Sequence, residues 1–146
     1  MSVFLVAEIG SSHSGRVDAM MEAIHVAKRA GADAIKYQWV SSPERLAARR
    51  HAEAYIEAYR MIAFHAGWLA ECQAVTQAMG LEWMCSTFLE EDIPVVAGLV
   101  TRFKISSFEA SDESFLNAHL PYGKPIIIST GGMSEDELWR LQQWWV

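Results

Sequence analysis

The feature that most limits how this chain can fold is a regular alternation of short apolar runs with amphipathic stretches. Residues 3–7 form an unbroken apolar run, which is typical of a β-strand covered on both faces. Residues 16–30 then carry apolar side chains at a helical period, and Gly31 follows where a glycine commonly ends a helix. Further strands are predicted at residues 34–40, 82–87, 102–106 and 125–130.

The remaining segments read as helices. Residues 68–79 predict a helix that ends at Gly80, and Ser134 with Glu137 has the spacing of a capping box at the start of a last helix. An insert at residues 41–66, rich in Ala, Glu, Arg and Tyr, is expected to form helical turns over one mouth of the sheet. No linker or low-complexity tract divides residues 1–146, which are therefore treated as one unit.

Five strands separated by helical segments constitute a βα repeat, which winds right-handed into a parallel sheet. The expected fold class is therefore α/β. Two architectures remain open on the pattern alone: a small open, doubly wound sheet, or the first part of a (β/α)₈ barrel of the TIM type.

Composition excludes several functions. The formal charge of −6, from 18 acidic and 12 basic residues, argues against a general nucleic-acid-binding protein. The apolar runs are too short to cross a bilayer, and no secretory signal is expected. Cys72 and Cys85 form neither a disulfide framework nor a metal motif, so a cytoplasmic location is expected.

Polar residues concentrate at the carboxyl end of each predicted strand, where parallel α/β folds bind ligands. Two lysines, two carboxylates and several hydroxyl groups at one edge of a sheet would suit a small anion such as a phosphate or a carboxylate. These residues are Glu8, Lys36, Gln38, Ser86, Thr87, Lys104, Ser106, Ser107, Glu109, Ser129 and Thr130.

The charged residues also have a simpler interpretation, because Lys36 or Lys104 alone could be a strand-end lysine that reaches solvent. Two lysines within apolar strands favour a binding role, since burial of an unpaired ammonium group is costly. Glu8 lies between Ala7 and Ile9 and is expected to be buried, with a raised pKa suited to proton transfer.

Histidines and glycines give weaker signals. His13, in the loop after the first strand, could contact a ligand or serve only the turn. The other four histidines are expected at the surface, and no pair of histidines has the spacing of a metal site. Gly131 and Gly132 form a loop that could receive a phosphate, and Cys85 is expected to be a buried strand thiol. The four surface histidines are His25, His51, His65 and His119.

Taken in order, these motifs resemble the N-terminal part of the barrel domain in the sialic acid synthase family (N-acetylneuraminate synthase and its relatives), over essentially the whole chain. The resemblance rests on five segments in the order in which the family carries them. They are Ala7-Glu8-Ile9-Gly10 with His13 and Gly15; residues 30–38, AGADAIKYQ; Ser86-Thr87; Phe103-Lys104-Ile105 with Ser107 and Glu109; and Gly123-Lys124-Pro125 leading to Ser129-Thr130-Gly131-Gly132-Met133.

The resemblance implies condensation of phosphoenolpyruvate with an N-acyl amino sugar, such as N-acetylmannosamine, to give a nine-carbon sialic (nonulosonic) acid and phosphate. It implies Glu8 as the catalytic residue near C2 of phosphoenolpyruvate. It also implies that Gln38 and Glu109 line the sugar side, and that Lys36, Thr87, Lys104, Ser107 and Ser129 hold the phosphate and carboxylate.

Two local departures and one large one accompany the resemblance. Ser12 stands where the family usually has Asn, and Phe88 follows Thr87 where the family has proline. Family members continue through three more strands, with two histidines that bind a divalent metal (Mn or Mg), and then an antifreeze-like domain that contributes to a homodimer. A barrel needs about 250 residues, so this chain is expected to carry only the first five βα units.

Three interpretations follow from the sequence. The chain could be the N-terminal portion of such a synthase, inactive by itself. It could instead be a half-barrel module that binds anions or assembles with another chain without catalysis. A different phosphoenolpyruvate- or phosphate-using barrel is disfavoured by the order of the motifs.

Overall fold

The computed structural model describes residues 3–145, and the side chains of residues 3–144. Five strands alternate with helices along the chain, as the βα repeat predicts. The strands are β1 (Val6–Gly10), β2 (Ala34–Gln38), β3 (Glu82–Ser86), β4 (Phe103–Ile105) and β5 (Ile126–Ile128). The helices are α1 (Val17–Arg29), α2 (Pro43–Arg49), α3 (Ile56–Arg60), α4 (Gly67–Ala78), α5 (Ile93–Ala97), α6 (Glu113–Asn117) and α7 (Glu135–Trp145), with 3₁₀ turns at Glu53–Tyr55, Glu90–Asp92 and Leu120–Tyr122.

All the strand pairs are parallel, which confirms the α/β class. One ladder runs β1–β2–β3, and a second joins β4 to β5. β4 lies beside β3, and Arg102 Nε forms an ion pair with Glu82 Oε1 at 2.7 Å across this junction. The register sets Glu8 beside Lys36 and Gln38 beside Ser86, so that polar residues of neighbouring strands reach the same level.

The core lies between the sheet and the helices that cover one of its faces. Because side chains alternate along a strand, every second residue of each strand points into this core. Tyr37 of β2 is fully buried there and donates a hydrogen bond from its hydroxyl to the Met20 carbonyl of α1, at 2.7 Å. The strand residues that contribute to this core include Ile35, Trp83, Cys85, Phe103 and Ile105.

The first strand differs from its prediction. β1 begins at Val6, because Leu5 instead bonds to Asp33: its backbone N–H donates to the Asp33 carboxylate at 2.7 Å. Val3, Leu5 and Val6 are 40–78% exposed, so the expectation of a strand covered on both faces is wrong here. An uninterrupted apolar run indicates a strand, but it does not show whether other parts of the structure cover both of its faces.

Glycines and caps fall where the sequence predicts them. Gly31 follows α1 with φ +79°, a left-handed conformation that glycine adopts without strain. Ser134 and Glu137 form the capping box of α7, in which the Ser134 N–H donates to Glu137 Oε2 at 2.8 Å and the Glu137 N–H donates to Ser134 Oγ at 3.3 Å. The insert is helical as expected, through α2 and α3.

His119 is a correction to the sequence analysis, because it is 2% exposed rather than a surface residue. Its ring lies edge-on to Phe103 and Phe115, and its Nδ1 donates to the Phe115 carbonyl at 2.8 Å. Burial lowers the pKa of His119, and the hydrogen bond to Phe115 opposes part of that shift. This burial was not predicted from the sequence, because His119 is a single polar residue among apolar ones and nothing nearby in the sequence indicates that it packs against Phe103 and Phe115.

Both cysteines, Cys72 and Cys85, are buried and unbonded to each other. Within residues 3–145, no helix has the length and apolar character needed to cross a membrane.

We predict that stability falls as the pH drops through the titration range of His119. The unfolded chain binds protons at the ordinary histidine pKa of 6.5, whereas burial lowers the pKa in the folded state. The free energy of unfolding should therefore decrease from about pH 7.5 to about pH 5.5. Urea unfolding of H119N should show a shallower dependence, while H25N, which changes an exposed histidine, should retain the wild-type slope. An unchanged slope in H119N would contradict the prediction.

Candidate functional site

Lys36 is the most enclosed charged residue at the sheet face opposite the core. Its side chain is 7% exposed, and its Nζ forms an ion pair with Glu8 Oε2 at 2.6 Å. Nζ also lies within hydrogen-bonding distance of Ser86 Oγ, at 3.4 Å. The parallel register creates this contact because β1 places Glu8, and β3 places Ser86, on the same face as Lys36.

Glu8 is not buried as the sequence predicted, since 54% of its side chain is exposed. The carboxylate instead projects from β1 over the open face of the sheet. Gly10, at φ +57°, keeps space beside it: a Cβ at this position would stand 3.4 Å from Glu8 Oε1 and 3.6 Å from Gln38 Oε1. Glu8, Lys36 and Gln38 therefore share one side of the strand ends.

Lys104 approaches the same region from β4. Its Nζ donates to Ser129 Oγ at 2.5 Å and to the Ile105 carbonyl at 2.7 Å. Burial lowers the pKa of Lys104; the positive charge of Lys36 lowers it further, whereas the negative charge of Glu8 raises it. No carboxylate among residues 3–145 forms an ion pair with Lys104, so the site holds two ammonium groups and a single nearby carboxylate.

Hydroxyl groups at the strand ends complete the candidate anion site. Thr87 is buried directly after β3, and Ser107 is half-buried in the loop after β4. A Cβ on Gly131 would come within 3.9 Å of the Ser107 Cβ, which places the loop after β5 close to the loop after β4. The structure therefore pairs Glu8 with Lys36 and Ser129 with Lys104. The charges of Lys36 and Glu8 act on Lys104, and Thr87 and Ser107 follow the ends of β3 and β4.

Of the two residues predicted to line the sugar side, Gln38 borders an open cleft and Glu109 is buried beside it. Gln38, Ser106 and Ser107 line an open cleft with about 800 Å³ of empty volume. Glu109 does not line it: the carboxylate is 2% exposed and is bound by Arg50 and by the Ser106 hydroxyl. Arg50 occupies the cleft wall instead.

Arg50 was not among the residues predicted from the sequence. It stands at the end of α2 next to Arg49, within an insert whose Arg- and Glu-rich composition is typical of a solvated helical surface. The two arginines hold the insert to the loop after β4. Arg49 Nη2 binds Asp112 Oδ2 at 2.5 Å, and Arg50 binds Glu109. Only the three-dimensional pairing with Glu109 distinguishes Arg50 from other surface arginines.

His13 lies on the core side of the sheet rather than with the lysines. It is 2% exposed, with its ring edge-on to Tyr37 and Phe64, and its Nδ1 accepts a hydrogen bond from the Gly15 N–H at 3.1 Å. Burial lowers the pKa of His13, and the carbonyls of Gly10 and Gln38 oppose this shift. These contacts support a role in shaping the loop after β1.

Cys85 is buried as predicted, and burial strongly raises the pKa of its thiol, which disfavours the nucleophilic thiolate. Among residues 3–145, no group of three or more His, Cys, Asp or Glu side chains is arranged to hold a metal ion.

Comparison with known proteins gives a consistent family. A model of the NeuB family matches residues 23–144. Pseudaminic acid synthase of Campylobacter jejuni is 32% identical over 152 residues, covering 95% of this chain and 44% of the relative. N-acetylneuraminate-9-phosphate synthase of Mus musculus is 28% identical, covering 96% of this chain and 42% of the relative. The chain thus spans less than half the length of these curated relatives.

The fold also has a solved counterpart. The crystal structure of the N-acetylneuraminic acid synthetase from Leptospira borgpetersenii, in complex with citrate, superposes with a TM-score of 0.87 at 23% identity. The superposition covers 99% of this chain and 50% of that one. At this level of identity the likeness shows that the two share a fold.

We predict that the ammonium of Lys104 titrates below the ordinary lysine pKa of 10.5 and that its neighbours control it. K36M should raise the pKa of Lys104 by removing a nearby positive charge, and E8Q should lower it by removing a negative one. Lysine Cε and Hε NMR titration measures both shifts. K28M, at an exposed site of α1, should leave the pKa of Lys104 unchanged. Equal changes in this pKa in all three variants would refute the arrangement.

Proposed function

The chain belongs to the NeuB family, and we propose from this premise that it forms the phosphoenolpyruvate-binding part of a nonulosonic acid synthase. The proposed reaction condenses phosphoenolpyruvate with an N-acyl amino sugar to give a sialic-type acid and phosphate. Relatives named as synthases of pseudaminic acid and N-acetylneuraminate 9-phosphate support this class of product.

The observation that supports the proposal is that Lys36 and Lys104 lie near each other on the face of the sheet opposite the core, where Glu8 is paired with Lys36 and no carboxylate among residues 3–145 is paired with Lys104. Two ammonium groups and one carboxylate leave one positive charge uncompensated. A bound anion would relieve both the repulsion between the lysines and the cost of their desolvation. Phosphoenolpyruvate, which carries a phosphate and a carboxylate, has the charge and the acceptor atoms for this arrangement.

We assign the residues as follows. Lys36 and Lys104 bind the two anionic groups, and Thr87, Ser107 and Ser129 donate hydroxyl hydrogen bonds to them. Glu8 is the catalytic residue: half-exposed above the sheet, its carboxylate can accept a proton from the water that adds at C2. C3 of phosphoenolpyruvate bonds to the sugar aldehyde carbon, and the aldehyde oxygen takes up a proton to become a hydroxyl. The tetrahedral C2 formed by addition of water then loses phosphate and the remaining proton of its hydroxyl, which leaves the 2-keto acid.

A divalent metal is expected for the family reaction, in which it polarises the sugar aldehyde as a Lewis acid. The residues described here do not fit such an ion, because no cluster of three suitable ligands occurs among residues 3–145. We therefore assign no metal ligand to this chain and derive no step through the metal. Its histidine ligands would lie in parts of the family's barrel that this chain does not match.

The parallel order of the strands supports the further proposal that residues 1–146 are the first five βα units of a (β/α)₈ barrel. In that architecture, active sites lie at the carboxyl ends of the strands, where Glu8, Lys36 and Lys104 occur. The cytoplasmic location and the homodimer remain predictions.

We predict that the 146-residue chain binds phosphoenolpyruvate through the two lysines. K36M and K104M should each weaken binding at least tenfold, equivalent to about 1.4 kcal/mol, since each removes a charge facing the anion. Isothermal titration calorimetry measures the affinity. K28M, which removes one positive charge at an exposed site of α1, serves as the control with the same change in net charge. Wild-type affinity in both site variants would refute the assignment.

The same chain with phosphoenolpyruvate, N-acetylmannosamine and manganese should release no phosphate, because no cluster of three metal-ligating side chains occurs among residues 3–145. Phosphate release with formation of a nine-carbon acid would show that this expectation is wrong. If the chain binds phosphoenolpyruvate but a longer form that continues into the remaining barrel strands is also inactive, the non-catalytic anion-binding module becomes the better interpretation.

A further inference from the structure

The loop that follows β3 begins where the pairing of β2 with β3 ends. A backbone hydrogen bond from the Trp39 N–H to the Ser86 carbonyl, at 3.0 Å, closes this pairing. Thr87 and Phe88 come directly after it, and the two residues are 4% and 3% exposed. Enclosed backbone groups beyond the ladder still need hydrogen-bond partners, so other segments of the chain supply them and thereby set the course of this loop.

Arg49, the last residue of α2, supplies one of these partners. Its Nη1 donates a hydrogen bond to the Phe88 carbonyl, and its Nη2 forms an ion pair with Asp112 Oδ2 at 2.5 Å. The guanidinium lies over the ring of Phe115, with 4.8 Å between its Cζ and the ring centroid. Because a guanidinium is planar and rigid, these contacts fix its orientation and join the insert to two segments, the loop after β3 and the start of α6.

The insert holds the loop after β3 at two further points. Phe88 packs in a small apolar cluster with Leu46 of α2, and the other buried members are Val40, Ile62 and Leu89. At the far end of the loop, Asp92 is 1% exposed, and its Oδ2 accepts a hydrogen bond from the Ser41 N–H at 3.1 Å. The loop that carries Thr87 is therefore fixed by the insert as well as by the end of β3.

We propose that Arg49 is a positioning residue for the anion site. It holds the Phe88 carbonyl and so fixes the adjacent Thr87, whose hydroxyl binds the anion in the proposed function. The inference rests on that function and adds how one of its hydroxyl donors is kept in place. Arg49 acts through the loop and makes no contact with phosphoenolpyruvate, because its Nη1 and Nη2 are directed at Phe88 and Asp112.

Two variants of the 146-residue chain separate this role from a purely structural one, in which Arg49 only ties α2 to α6. R49K keeps the positive charge next to Asp112 but cannot reach both acceptors with a planar group. D112N removes the ion pair, keeps a good capping residue for α6 and leaves the contact between Arg49 and Phe88 in place. We expect R49K to weaken phosphoenolpyruvate binding about tenfold by isothermal titration calorimetry, and D112N to stay within about twofold of wild type.

A double-mutant cycle tests whether the effect passes through Thr87. T87V removes the hydroxyl with little change in side-chain shape and should weaken phosphoenolpyruvate binding by itself. In the T87V background, R49K should cause no further loss, because the hydroxyl that Arg49 positions is absent. Losses that simply multiply in the double variant would overturn the positioning role.

The ligand-free chain gives an independent measurement. In isotope-labelled protein, the carbonyl carbon shift of Phe88 and the amide shift of Leu89 should move in R49K and should keep their wild-type values in D112N. Unchanged shifts in R49K, or equal losses of affinity in R49K and D112N, would contradict the proposal. An R49K chain that does not fold would also overturn it, because Arg49 would then serve the fold as a whole.

These outcomes are distinguishable from failure of the proposed function. If the wild-type chain does not bind phosphoenolpyruvate, or binds it without Lys36 and Lys104, the proposed function fails and the inference falls with it. If phosphoenolpyruvate binds through the two lysines while R49K keeps wild-type affinity, only the positioning role of Arg49 is wrong.

Discussion

The alternation of side chains along β2 is the constraint on which both the core and the candidate site depend. Ile35 and Tyr37 point to the helices and are completely buried, while Lys36, between them, points to the opposite face. Because β2 is the central strand of its ladder, neighbours on both sides fix its register. A one-residue slip would bury Lys36 in the apolar core and separate it from Glu8 and Ser86.

This constraint explains why the site can contain desolvated charge. The hydroxyl of Tyr37 binds the Met20 carbonyl, and the apolar core on that side stabilises the strand position. The position of the strand therefore keeps Lys36 enclosed, although desolvation of its ammonium group is by itself unfavourable. Lys104 is brought near it by β4, which belongs to a separate ladder, so the repulsion between the two lysines is imposed by the packing of the two sheets.

The insert has a comparable role on the other side of the strand ends. Arg49 and Arg50 are consecutive, yet they bind different acidic residues of the segment after β4, at Asp112 and Glu109. Asp112 also caps α6, since its Oδ1 accepts a hydrogen bond from the Phe115 N–H at 3.1 Å. The ion pairs therefore connect the insert to the start of a helix, and the cleft wall formed by Arg50, Tyr59 and Phe108 depends on that connection.

The sequence by itself determined the βα order, the C-terminal end of α1, the start of α7, and the set of polar residues at the strand ends. These features depend on local periodicity, on glycines such as Gly31 and on the capping box of Ser134, all of which involve residues close in sequence. Tertiary structure decided the rest: the start of β1, the exposure of Glu8, the burial of His13 and His119, and the pairing of Arg50 with Glu109. Burial and ion pairing depend on which distant segments pack together, because the same residue is solvated or enclosed according to its neighbours in space.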